Sequence, residues 1–136
     1  MILADTSAWV EYDRATGSAV DQRLTQLIAD EGPLAVTEPV VMEVLAGART
    51  DECEQDLRRL LLRFHLLRFD VATDFAGGAR VYRRCRAAGV TPRGIVDCMI
   101  AAVAWRRGAT LLAQDVNLHS VAEVIGVAMD VPRERP

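Results

Sequence analysis

The sequence predicts an α/β fold in which a mostly parallel sheet is covered by helices on both faces. Three observations carry that prediction. Short apolar runs that read as buried strands alternate with longer segments of helical periodicity. Of the 136 residues, 51% are apolar, enough at this length for one substantial core and not for two. No internal repeat, low-complexity tract or linker interrupts the alternation, so residues 1–136 are expected to form a single domain.

Ile2 to Ala4 reads as a buried first strand, and Asp5-Thr6-Ser7 then offers side-chain oxygens to cap a helix that begins near Ala8 and carries Trp9, Val10 and Tyr12. Ser18 to Asp30 places Val20, Leu24, Leu27 and Ile28 at helical spacing, closed by Gly32-Pro33. Leu34 to Val36 is the second strand. Thr37 is a candidate N-cap, with Pro39 in a first turn that tolerates its missing N–H, for a helix ending near Gly47. Val40, Val41, Val44 and Leu45 make its apolar stripe, which puts Glu43 at or beside the inward face.

Asp51 to Phe64 continues as helix, with Leu57, Leu60, Leu61 and Phe64 inward, and Leu66 to Phe69 reads as a short strand. Thr73 to Ala88 is a helix ended by Gly89, with Phe75, Ala79, Val81, Tyr82 and Cys85 on its apolar side. After the turn Pro92-Arg93-Gly94, the segment Ile95 to Arg107 is apolar almost all round, the mark of a central helix, and Asp97 lies in its first turn. Gly108 ends it, Ala109 to Ala113 reads as a strand with Asp115 just beyond, Val116 to Ile125 as a short helix, and Val127 to Val131 as a last strand. The aromatics Trp9, Trp105, Phe64, Phe69 and Phe75 all fall in apolar stripes and are expected in the core.

Asp5, Glu43, Asp97 and Asp115 share one property: each stands at the edge of an apolar segment. A carboxylate withdrawn from water shifts its pKa, pairs with a base or binds a metal. In a parallel sheet ligands gather at the carboxyl ends of the strands, where Asp5 and Asp115 are placed. Capping alone would account for Asp5 or Asp115, a solvated helix acid for Glu43 and the helix dipole for Asp97. Their joint placement argues for a shared cation site. Hard oxygen donors suit Mg²⁺ or Mn²⁺, and such an ion can activate water and shield charge in phosphodiester hydrolysis. Asp5 and Asp97 are the first choice as ligands, with Asp115 on the same ion or a second. Glu43 would orient the attacking water or accept its proton, and Thr6, Ser7 and Asn117 would fix the carboxylates.

The formal charge of −3 argues against a protein that coats nucleic acid through its overall field, but it leaves room for a nuclease. All 16 basic residues are Arg, in clusters at Arg58, Arg59, Arg63 and Arg68, at Arg80, Arg83, Arg84 and Arg86, and at Arg106 and Arg107. The second group is placed first as an RNA or partner contact. Cys53, Cys85 and Cys98 form no C-x-x-C pair and fit reduced thiols of a cytoplasmic protein. His65 and His119 lack a third ligand that would make a zinc site. No membrane span or signal peptide is expected.

Asp5-Thr6-Ser7 behind a short strand, Glu43 within Thr37-Glu38-Pro39-Val40-Val41-Met42-Glu43-Val44-Leu45-Ala46-Gly47, Asp97 within Asp97-Cys98-Met99-Ile100-Ala101-Ala102, and Asp115 after Leu111-Leu112-Ala113-Gln114 together resemble the PIN domain family. Within it the likeness is to the VapC toxins of bacterial type II toxin-antitoxin systems, from Met1 to about Val131. The resemblance implies a three-layer α/β/α fold, a Mg²⁺- or Mn²⁺-dependent endoribonuclease with Asp5, Glu43, Asp97 and Asp115 as its acidic cluster, a homodimer, and a cognate VapB-type antitoxin that covers the site. The chain departs from the family at Asn117, where many members carry a further Asp, and at Ala113, where many carry Thr or Ser. The alternative is a catalytically silent PIN-like module that contacts RNA or a protein partner. A phosphatase or receiver-like domain lacks support, since there is no Gly-rich phosphate loop and no Lys.

Overall fold

In the computed structural model, which describes residues 1–132, the chain runs β1 (Ile2–Ala4), α1 (Thr6–Asp13), α2 (Ala19–Ala29), β2 (Leu34–Val36), α3 (Glu38–Ala46), α4 (Asp51–Leu61), β3 (His65–Leu66), α5 (Val71–Ala87), α6 (Ile95–Arg107), β4 (Thr110–Leu112) and α7 (Val116–Ile125). The strands pair in the order β3-β2-β1-β4, every ladder parallel, as the alternation of strand and helix requires. The first two crossovers step the same way across the sheet, and the third returns past β1. Right-handed connections therefore put α1 to α4 on one face and α5 and α6 on the other. Helix packing follows the same division: α1 lies on α2 and α3, α3 on α4, and α5, α6 and α7 pack on one another. The result is the expected α/β/α sandwich, its sheet strands buried wherever they are flanked on both faces, as Leu3, Ala4, Ala35 and Leu111 are.

α6 is the buried spine of its layer, with Cys98 and Ile100 to Ala104 all inaccessible. It ends at Gly108, whose left-handed φ of 63° suits a residue without a side chain. Against it lies α5, through Asp74, Gly78, Val81 and Cys85. This corrects the apolar stripe expected for that helix: Phe75 and Ala79 are exposed. An Asp and a Gly occupy the packing face, and hydrophobic counting assigns neither to a core. A Cβ on Gly78 would sit 3.6 Å from the Cys98 carbonyl, so the two backbones approach closely there. Asp74 is held by a two-pronged pair with Arg106, Nε and Nη2 each at 2.8 Å. Burial raises the Asp74 carboxyl, but the Arg106 hydrogen bonds prevail and hold it below the ordinary carboxylate range. Arg106 is thus a pin between helices.

Three boundaries differ from the sequence expectation. α1 starts at Thr6, two residues early, because Asp5 itself takes the N-cap position and accepts from Ser7 N at 3.1 Å. The strand expected over Leu66 to Phe69 is only His65–Leu66: Leu67 N still reaches Val36 O at 2.8 Å, but Phe69 N is captured by Glu38 Oε1 at 2.8 Å, which ends the ladder. The last strand, Val127 to Val131, reduces to a single parallel bridge between Leu111 and Met129, and Asp130 beside it turns to an ion pair with Arg23 at 2.7 Å. Helical ends shift as well, α4 closing at Leu61 and α5 opening at Val71 behind the Asp70 cap. Trp9 is buried, Trp105, Phe64 and Phe69 are half-buried. Cys85 and Cys98 are buried and Cys53 exposed, all three as free thiols. No helix among the described residues is long and apolar enough to cross a membrane.

Candidate active site

Strand order reverses between β1 and β4, so the loops leaving their carboxyl ends diverge and open a crevice. The sequence places an acid at each end. Asp5 N donates to Leu112 O at 2.9 Å, joining the two strand ends directly. The Asp5 side chain, 2% exposed, receives Ser7 N at 3.1 Å and Ser7 Oγ at 2.8 Å on Oδ2. Its Oδ1 is buried with no hydrogen-bond partner among the described residues. Ser7 Oγ in turn accepts from Gln114 N at 2.9 Å and Asp115 N at 3.1 Å. One hydroxyl therefore ties α1 to the loop after β4.

Glu43 arrives from α3, where Thr6 Oγ1 donates to its Oε1 at 2.7 Å. Asp97 arrives from the opposite helical layer, in the first turn of α6. Ligand oxygens of Asp5, Glu43 and Asp97 lie within 4.8 Å of one another. Asp115 caps α7 and lines the same cleft, of about 420 Å³, but its Oδ1 is engaged by Asn117 N at 2.9 Å and by Arg93 Nη2 at 3.2 Å. The four acids foreseen from sequence are thus brought together, and the tightest trio contains Glu43 in place of Asp115.

A model of the PIN domain family matches residues 2–124. The chain belongs to the PIN domain family. It is 44% identical over 125 residues to ribonuclease VapC11 of Mycobacterium tuberculosis, a match that covers 91% of this chain and 93% of VapC11. Ribonuclease VapC32 of the same organism is 33% identical over 132 residues, covering 95% of this chain and 96% of the relative. Among solved structures, VapBC2 from Rickettsia felis bound to a promoter DNA fragment superposes with a TM-score of 0.74 at 18% identity, over 96% of this chain and 98% of that one, and so has the same fold.

The electrostatics of this PIN domain's cleft are those of a site short of positive charge. Burial, with Glu43 adding to it, pushes Asp5 up to about 6 despite the hydrogen bonds from Ser7. Burial again comes first for Asp97, joined by repulsion from Asp5, Asp115 and Glu43, and the group reaches about 7 with only Arg93 opposing. An orphaned buried carboxylate oxygen among clustered acids with raised pKa values fits an oxygen-loving divalent cation: the donor set is hard, anionic and already oriented.

Besides Val10, three polar or charged cleft residues have no role assigned from the sequence. Glu11 stands one helical turn beyond Ser7 on α1, Gln114 precedes Asp115, and Arg93 stands in the turn before α6. The signal for Arg93 was its place four residues before Asp97, at the same helix end. Asn117 departs from its expected role. Its backbone N–H serves Asp115, but its side chain turns to the Thr91–Arg93 loop, accepting from Arg93 N at 2.7 Å and donating to Thr91 O at 3.0 Å. Arg80, Arg83, Arg84 and Arg86 are exposed on α5 and line no part of the cleft; Arg84 stacks on Trp105 at 5.0 Å and Arg86 on Tyr82 at 5.9 Å. His119 is half-buried, with its ring Nε2 2.9 Å from Ala113 O.

Ser7→Ala is expected to cost about 2 kcal/mol of stability, since it strands two backbone N–H groups and removes a donor from Asp5. Cleavage should fall about tenfold to a hundredfold as Asp5 loses its orientation. Thermal melting and RNA cleavage of the variant check this; a wild-type melt would show that water takes the hydroxyl's place.

Proposed function

We propose that this PIN domain is a metal-dependent endoribonuclease of the VapC type, the toxin of a type II toxin-antitoxin pair. It acts in the cytoplasm as a homodimer and is restrained by a cognate VapB-type antitoxin that covers the acid cleft. The observation that supports it most is the buried Asp5 oxygen that has no hydrogen-bond partner among the described residues, beside Glu43 and Asp97. The names of the VapC relatives, ribonucleases matched over nearly their whole length, support the reaction and the toxin role.

Asp5 and Asp97 are the leading ligands for Mg²⁺ or Mn²⁺, with Asp115 and Glu43 completing the negative shell. When bound, the ion supplies Lewis acidity, lowering the pKa of water and shielding charge on the phosphate. The protein's own groups do the rest. Ser7 fixes the orientation of Asp5, and Thr6 holds Glu43 Oε1, leaving Oε2 to accept the proton of the attacking water as its oxygen bonds to phosphorus; the bond from phosphorus to the leaving ribose oxygen breaks, and that oxygen takes a proton from solvent. Burial, with repulsion from neighbouring acids added to it, keeps Asp5 and Asp97 poised to exchange protons for a cation near neutral pH. Exposed Arg80, Arg83, Arg84 and Arg86 form a basic face on α5 for a flanking stretch of RNA or for the antitoxin.

The test is incubation of end-labelled total RNA with the purified protein in Mg²⁺, in Mn²⁺ and in EDTA, with and without the co-expressed product of a short neighbouring reading frame. Discrete products with either metal, abolished by EDTA and by the neighbour, are expected. Intact RNA under every condition would leave a silent binding module in place of the enzyme.

A further inference from the structure

We propose that Arg93 binds a phosphate of the RNA substrate and that Asn117 is the positioning residue that holds it over the acid cleft. The inference rests on the ribonuclease reading above and adds to it the group that meets the substrate's charge.

Arg93 is the only basic side chain lining the cleft among the described residues. A polyanion approaching four carboxylates meets repulsion, and cations held by the site do not cancel all of it. Arg93 carries five N–H donors, and its ion pair with Asp115 uses one nitrogen, Nη2, at 3.2 Å. Its side chain is 70% exposed, so that pair is screened by water and rearranges at little cost. The guanidinium fork matches two phosphate oxygens at once, a geometry that a Lys cannot reproduce.

The placement of Arg93 is built, not incidental. Its backbone N–H is received by Asn117 Oδ1 at 2.7 Å, and Asn117 Nδ2 returns a hydrogen bond to Thr91 O at 3.0 Å. Both side-chain bonds of Asn117 therefore go to the backbone of one turn, and neither goes to a carboxylate. Pro92, buried between them, stiffens the turn and limits φ. α7, whose cap is Asp115, thus reaches across and clamps the segment that carries Arg93, so both partners of the Arg93–Asp115 pair are set by the same helix end. Cleaving the clamp would free the turn without touching any acid.

Steady-state cleavage of a fluorogenic single-stranded RNA at pH 8 and saturating Mn²⁺ tests this, together with Mn²⁺ affinity measured by the electron paramagnetic resonance of the free ion. Arg93→Ala is expected to raise KM about tenfold with kcat little changed, and to flatten the slope of log KM against log salt by about 0.7, the value of one lost phosphate contact on a single strand. Arg93→Lys should recover part of the loss. Asn117→Ala should raise KM about threefold and add nothing in the Arg93→Ala background, because both act through one group. Mn²⁺ affinity should stay equal or tighten once a competing cation is gone. An Arg93→Ala enzyme with wild-type KM and salt slope overturns the proposal and leaves the ribonuclease reading standing. Weaker Mn²⁺ binding in Arg93→Ala also overturns it, assigning Arg93 to the upkeep of the acids. Wild-type protein that cleaves no RNA overturns both.

Discussion

Asp97→Asn is expected to lose at least about a thousandfold in RNA cleavage, the loss typical of removing a group at a reacting centre, while the metal-free protein becomes more stable. The two effects have one origin. Burial and three neighbouring acids raise Asp97 to about 7, so at pH 8 its charge is held at a cost. An amide of the same shape removes the charge and keeps the packing. After allowing for the water that reaches a half-buried group, relief of that repulsion should be worth about 1 kcal/mol, or about 4 °C in a domain of this size. At pH 5 folded wild-type Asp97 is protonated but the unfolded chain still ionises there, so the difference in melting temperature should narrow, and it should close only below about pH 4. Cleavage assays paired with melts at pH 8 and pH 5 check both halves. Retained metal-dependent cleavage would remove Asp97 from the site; a destabilised, inactive variant would mark it as structural.

The metal-free wild-type protein should lose stability as pH rises from about 4 to about 7 and regain it on addition of Mn²⁺. Asp5, at about 6, and Asp97, at about 7, both lie above the ordinary carboxylate value of 3.8. Between those limits the folded state binds more protons than the unfolded chain, so stability falls with rising pH, then levels off above about 7. For fully buried Asp5 the displacement corresponds to about 3 kcal/mol, and the two contributions overlap because the acids repel each other. Asp74, lowered by Arg106, acts with opposite sign below the ordinary carboxylate range and does not mask the trend. A cation needs the ionised acids, so its effect should be small at pH 5 and large at pH 8, about 2.7 kcal/mol at a hundred times its dissociation constant. Differential scanning fluorimetry in EDTA and in Mn²⁺ across pH 5 to 8 measures this. A metal-free midpoint that climbs over that range, or a Mn²⁺ shift that ignores pH, would contradict the cluster.

Most of this architecture is legible in the sequence because it depends on periodicity. The runs Ile2 to Ala4 and Leu34 to Val36 are strands where expected, and Ile95 to Arg107 is the central helix to the residue. The acids were visible because a charge at the edge of an apolar run is conspicuous. What escaped depends on partners distant in sequence. The packing face of α5 runs through Asp74 and Gly78, which read as polar and as a breaker until Arg106 and the Cys98 backbone are placed opposite them. The short β3 is set by Glu38 capturing Phe69 N, a contact across 31 residues. Asn117 and Arg93, 24 residues apart, meet only through the turn before α6. Ser7 illustrates the same limit: its helix-capping neighbourhood is local, but its bonds to Gln114 and Asp115 cross more than a hundred residues, as the 107 and 108 separations show.

Placement of Asp97 in the first turn of a helix whose middle is buried has a consequence for how such a protein can change. Asp5, just past the end of β1, and Asp97, beside the buried stretch of α6, adjoin parts of the structure where almost any side-chain replacement disturbs packing, so the acidic end of the cleft is shielded from drift. In the turn that carries Arg93, Thr91 and Arg93 are exposed around the buried Pro92, and the single side chain of Asn117 ties the turn down. Residues there can be exchanged, lengthened or recharged with little penalty to the rest of the domain. On the proposed function, reaction and selectivity are therefore separable for an engineer: libraries confined to residues 91, 93, 94 and 117 would search for new RNA preferences while leaving the acid cluster in place.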